Sequence, residues 1–213
     1  MGTSSRLVAA IVLGAVWGAL SSFTNAEASP FGVAVALVVN AGWAWAGVAV
    51  AAGWVVRTVA PGAAAGVLAL FAMTTAYFGM DSILRDEPLG SYWYEMRVWW
   101  LASLVFGTVL GAIGGSIRRR GLVGLLAGLT VPVGATVEMI LLPREGAAFG
   151  VVNPVYDWLR PVVWAVAAAV TAGLVARFLA DRRRNRLDEA AGPSDIPPTT
   201  NSAPSESTRR LLR

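Results

Sequence analysis

The sequence predicts an all-α protein: a polytopic transmembrane bundle of six helices with both termini cytoplasmic. Three observations lead there. Six apolar runs, 7–23, 31–56, 61–80, 98–117, 121–142 and 161–180, fill most of the 213 residues. A helix needs about 20 apolar residues to cross a hydrocarbon core of about 30 Å. Hydrophobic residues make up 56% of the chain and charged ones 14%, too few charges for an ordinary soluble domain. The basic residues gather at alternate ends of the runs, as topology determinants do. The expected organisation is a membrane domain over 1–180 and a disordered cytoplasmic tail over 181–213. The tail is rich in Arg, Asp, Glu, Ser, Thr and Pro and has little apolar surface to bury.

The first run carries Ala10, Gly14 and Gly18 at four-residue spacing, a face that admits a second helix at close range. Arg6 before it and Ala26-Glu27-Ala28 after it also match a cleavable signal peptide. Retention as a helix makes the helix count even and keeps both termini on one side. The second run has a ladder of Gly32, Ala36, Asn40, Ala44, Gly47 and Ala51 on one helical face. On that reading Asn40 sits near mid-membrane, turned to a neighbouring helix or to a bound solute. In the third run Thr74, Tyr77 and Asp81 share a face towards the outer end.

The stretch from Asp81 to Arg97 reads as a long outer loop. Its Tyr92, Trp93 and Tyr94, with Trp99 and Trp100 beyond, form an aromatic belt or a lid. The fourth run repeats the small-residue spacing with Gly107, Gly111 and Gly115. Residues 11–19 and 104–112 align without gaps, which points to a weak inverted repeat of three helices plus three and to packing of the first run on the fourth. In the fifth run Glu138 lies about 6 Å inside the outer end, on a face of Ala135, Gly134, Val131 and Ala127. An ionisable group at that depth is costly and defaults to a functional hypothesis. It either pairs with Arg97 or Arg160 or belongs to a pocket. Asp157 stands three residues before Arg160, within reach of it on a helix, and Asn153-Pro154 reads as a helix start before the sixth run.

Orientation follows from the arginines. With the N-terminus inside, Arg6, Arg57, Arg118, Arg119, Arg120, Arg177, Arg182, Arg183, Arg184 and Arg186 are cytoplasmic, and only Arg85, Arg97, Arg144 and Arg160 are outside. The formal charge of +4 is therefore a membrane-topology feature and not a nucleic-acid one. The cluster from Arg182 to Arg186 suits anionic lipid headgroups, or a partner of the tail.

The chain contains no Cys, His or Lys. That excludes thiolate and imidazole metal sites, thiol nucleophiles, histidine general bases and lysine dyads. No catalytic residue, metal ligand or cofactor motif is assigned. The expected function is binding or transport of a small polar solute in an outward-facing pocket of Glu138, Asn40, Tyr77, Asp81, Arg97, Arg160 and Asp157. The alternative is an accessory membrane protein whose polar residues only hold helices together.

Asn40 followed by Gly42 and Trp43, Gly107-xxx-Gly111 leading into Arg118, and Glu138 carry a resemblance over residues 8–179. The chain resembles an uncharacterised family of small actinobacterial multi-pass membrane proteins, a domain of unknown function. That resemblance implies a membrane location and no particular chemistry. In architecture the predicted bundle is also similar to the substrate-binding subunits of energy-coupling-factor vitamin transporters. That similarity implies a membrane partner subunit docking on the first-helix face of Ala10, Gly14 and Gly18.

Overall fold

The structure, a computed structural model, describes residues 2–26, 29–141, 145–146, 151–152 and 155–190. The tail from 191 onward, the Glu27-Ala28 part of the cleavage motif and Asn153-Pro154 lie outside the described residues. Seven α-helices follow one another: α1 (Thr3–Asn25), α2 (Pro30–Val39), α3 (Gly42–Val56), α4 (Val59–Arg85), α5 (Trp93–Ser116), α6 (Leu122–Leu141) and α7 (Val155–Ala190). A 3-10 turn over Leu89–Tyr92 leads into α5, and Glu145–Gly146 pairs antiparallel with Val151–Val152 between α6 and α7. Five helical segments are long and apolar enough to cross a membrane, or six if α2 and α3 count as one span bent by 54°. This is compatible with a multi-pass membrane protein.

Burial is distributed as hydrocarbon solvent demands. Lipid is as apolar as leucine, so helices there gain from close backbone approach rather than from hiding large side chains. The central cluster is accordingly made of small and medium residues: Ala10, Val48, Ala49, Ala52, Ala65, Ala69 and Met73. Large apolar residues such as Val12, Val16, Leu101, Val105 and Phe106 face outward.

α4 is the axis of the bundle, and both glycine faces expected from the sequence lie on it. A β-carbon at Gly14 would overlap the Ala69 carbonyl, and one at Gly18 the Met73 carbonyl. On the other flank Gly107 and Gly111 of α5 meet the backbone of Gly62, Gly66 and Val67, and Gly115 meets Thr58. The two faces therefore do not pack on each other as expected. A small-residue stripe states how close a partner comes, not which partner it is, and the small residues Gly62, Ala65, Gly66 and Ala69 let α4 serve both. Ala10, Gly14 and Gly18 of α1 are buried within the chain. The two helical triplets also pack unlike each other: α4 is enclosed by α1, α3 and α5, whereas α7 lies at the margin against α6 and α2.

Three further expectations change. The second run is two helices, because Asn40 and Ala41 leave helical geometry and Ala41 is extended, at φ −61° and ψ 143°. The long outer loop is mostly helix: α4 continues to Arg85, and Asp86, at φ 53°, ends it. The tail does not begin at Asp181, since α7 runs on to Ala190. Arg, Leu, Glu and Ala favour helix, and no Gly or Pro intervenes before Gly192.

One end of the bundle is basic. Arg6 Nη1 donates to the Val56 carbonyl at 3.3 Å, Arg57 ends α3 beside it, and Arg118 lies over the Trp54 ring. The polar and acidic side chains of α1, α4 and α6 meet at the opposite end.

If α4 is the axis, Gly14→Leu and Gly111→Leu should each destabilise the protein by at least about 1–3 kcal/mol, because the added side chain meets backbone. Val16→Leu, on the exposed side of α1, should do almost nothing. Thermal melts in detergent test this, and similar melting temperatures for all three variants would refute the packing.

Candidate functional site

The break between α2 and α3 creates two helix ends inside the bundle. The last carbonyls of α2 and the first amides of α3 lose their helical partners. In a hydrocarbon environment each such group must be satisfied by protein. The Val39 carbonyl accepts from Trp17 Nε1 at 3.1 Å and from Ser21 Oγ at 3.4 Å, both on α1. Asn40 Nδ2 closes onto the Ala36 carbonyl at 2.9 Å and onto Asn25 Oδ1 at 3.0 Å. Asparagine is suited to this because its side chain competes with the backbone for helical partners.

The amide end is held from the other side of the bundle. Gly42 N donates to Glu138 Oε1 at 2.9 Å, and Trp43 N donates to Oε2 at 2.8 Å. A carboxylate on the first amides of a helix gains charge-assisted hydrogen bonds and the partial positive charge of the helix end. Glycine at 42 gives it room: a β-carbon there would stand 3.1 Å from Oε2. Gly134 and Val131, on the same face of α6, lie against Trp43 and Gly47.

The Glu138 carboxylate is thus engaged by two backbone amides rather than by Arg97 or Arg160. The Arg97 guanidinium lies 5.8 Å from the Trp93 ring centre instead. Arg160 is half-buried and Asp157 exposed, both in the first turns of α7. Asn40 stands near the end of the bundle opposite the basic one. Its bond to Asn25 sets it level with the last turns of α1, and the 15 residues of α3 alone cover the distance from there to the basic end.

Three of the expected residues do come together. Asn40, Tyr77 and Asp81 line a cavity of about 600 Å³ between α3, α4 and α5, open on the side of the exposed Trp99 and Phe106. Asp81 is 5% exposed; it accepts from Ser22 Oγ at 2.7 Å and from Arg85 Nε at 3.2 Å. Tyr77 Oη accepts from Asn25 Nδ2 at 3.0 Å. Trp45 and Trp99 form the aromatic wall, each with its ring centre 6.1 Å from a neighbour: Trp45 meets Tyr77 edge-on and Trp99 at a tilt. Phe78 and Phe106 complete the apolar lining. Glu138, Arg97, Asp157 and Arg160 do not line it.

Two polar atoms at this cavity stand out. Thr74 is 1% exposed and its Oγ1 has no hydrogen-bond partner, and Trp45 Nε1 is buried and likewise unpartnered. Thr75, Ser103, Thr108 and Thr136 each bond to the carbonyl four residues back. Thr74 has the same opportunity and does not take it. Comparison of the chain with protein-family models, with curated proteins and with solved structures gave no match, so the site rests on its own residues.

The capping geometry orders a mutant series. Glu138→Gln keeps one acceptor and should cost less than Glu138→Ala, which strands two amides at about 1–3 kcal/mol each. Arg97→Gln should leave the melting temperature unchanged. A drop for Arg97→Gln as large as that for Glu138→Ala would restore the ion-pair reading.

Proposed function

We propose that the chain is a six-span integral membrane protein that binds a small, neutral, mostly apolar solute in the cavity between α3, α4 and α5. Both termini and the basic end face the cytoplasm, and the cavity lies towards the outer side. The observation that carries this is the buried, unpartnered Thr74 hydroxyl in an aromatic-walled cavity. Burying a polar group without a partner is costly, and binding sites combine apolar walls with a few such groups that fix orientation.

The chemistry selects the class of solute. The Asp81 charge is matched by Arg85, so the lining offers no free charge to a cation or an anion. What remains is a hydroxyl that donates or accepts, an indole N–H that donates, and ring faces for stacking. A flat, uncharged molecule with one hydroxyl or carbonyl fits this set better than the strongly polar solute expected from Glu138. Glu138 acts as a positioning residue by fixing the N-terminal turn of α3, from which Gly42 and Trp45 line the cavity. The accessory reading accounts for Glu138 and for the glycines but leaves the Thr74 hydroxyl unexplained.

Phenol and indole are suitable probes, with binding measured by isothermal titration calorimetry. A saturable heat of binding is expected in the wild type. Thr74→Val, nearly isosteric, should preserve or raise the melting temperature and weaken binding about fivefold, the equivalent of one net hydrogen bond of about 1 kcal/mol. Ala102→Trp, which fills the cavity, should abolish saturation, and identical isotherms in all three proteins would overturn the proposal.

Orientation is tested separately, helped by the absence of native cysteine. In intact cells Ser91→Cys should react with a membrane-impermeant maleimide and Ser4→Cys should not. The reverse pattern would invert the topology.

A further inference from the structure

We propose a second site, distinct from the solute cavity: the cleft between α3, α6 and α7 holds an acyl chain of an anionic phospholipid whose headgroup phosphate is bound by Arg118. The inference rests on the membrane reading but not on solute binding.

The cleft measures about 580 Å³ and is walled almost wholly by hydrocarbon, including Gly47 and Trp54 of α3, Val131 of α6 and Val163 and Leu174 of α7. It is long and narrow. Its α7 wall runs from Leu159 to Leu174, about 22 Å at 1.5 Å per residue. That exceeds one leaflet's half of a hydrocarbon core of about 30 Å, so a single chain can lie along it. Glycines keep it open: a β-carbon at Gly47 would come no nearer than 3.7 Å to Val131, and Gly128 is covered only by the end of the Leu174 side chain.

Charge identifies which lipid. Trp54 and Ile117 form the cleft's basic end. Directly over the Trp54 ring lies the Arg118 guanidinium, its carbon 4.7 Å from the ring centre. The ring holds one face of the guanidinium by a cation–π contact and leaves the N–H edge available for a phosphate. Arg119 and Arg120 follow in the same exposed turn, and no described carboxylate stands within 4 Å of any of the three guanidinium groups. A basic mouth on the cytoplasmic side of an apolar interhelical cleft matches an anionic headgroup above a hydrocarbon chain.

Native mass spectrometry and thermal melts of the full chain in detergent, titrated with dioleoyl phosphatidylglycerol or dioleoyl phosphatidylcholine, test the proposal. The wild type should retain one phosphatidylglycerol and be stabilised at concentrations at least several-fold lower than phosphatidylcholine requires. Arg118→Gln should bind the two lipids equally. Gly47→Leu, which fills the cleft and improves helix propensity, should melt normally without lipid and lose stabilisation by either lipid; Ala51→Leu does the same from the next turn should Gly47→Leu fail to fold. Equal preference in the wild type, full lipid stabilisation of both cleft-filling variants, or a lipid-free dimer that those variants dissociate would each overturn it.

Discussion

Two hydrogen bonds from the first amides of α3 to one carboxylate organise the half of this protein around the α2–α3 break. A helix broken inside a membrane leaves unmade backbone groups, and the chain resolves this from two directions. Donors on α1 satisfy the carbonyl end of α2, and Glu138 on α6 satisfies the amide end of α3. The polarity matches the helix dipoles at both ends: neutral N–H and O–H groups meet the negative terminus, and an anion meets the positive one. Because α3 is held in this way, Gly42 and Trp45 sit at the rim and wall of the cavity, and α6 is kept beside α3 along the second cleft. Functional geometry on both sides of α3 follows from that cap.

The other half depends on a different constraint. There the helices meet backbone to backbone through glycine and alanine, and α4 presents small residues on both flanks. Such contacts are rigid, since a single methyl group has nowhere to go. The marginal helices differ. α7 is exposed along most of its length and touches mainly α6 and α2. The molecule thus joins a tight core of α1, α3, α4 and α5 to a looser hairpin of α6 and α7, and the Glu138 carboxylate is a polar link between them.

Much of this was legible in the sequence, and what was not has physical causes. The spans were legible because crossing a bilayer fixes a length and a composition. The small-residue faces were legible as faces, but Gly14 and Gly107 do not specify their partners, and both found α4. That half-buried Glu138 turns towards protein was legible from its small neighbours; its partner was not, because a backbone amide exists at every residue and becomes available only where a helix breaks. The break was hidden by apolar and small residues that continue on helical spacing through Ala36, Asn40 and Ala44. An Asn-Ala-Gly sequence inside an apolar run was the local signal. Thr74, Tyr77 and Asp81 were correctly grouped on one face of the third span, whereas Trp45 and Trp99 joined the site only through packing that sequence spacing does not encode.

The cap on α3 also has a consequence in time. Gly42 and Glu138 are 96 residues apart. At a synthesis rate of about 5–20 residues per second, α3 leaves the ribosome roughly 5–20 seconds before its carboxylate exists. During that interval the amides of Gly42 and Trp43 have no anion to bind, and the cheapest way to satisfy them in lipid is to continue the helix back through Asn40. On the membrane reading proposed above, the nascent second span would then be straight and would bend once α6 supplies Glu138, so that the kink and the cavity rim would form late in translation.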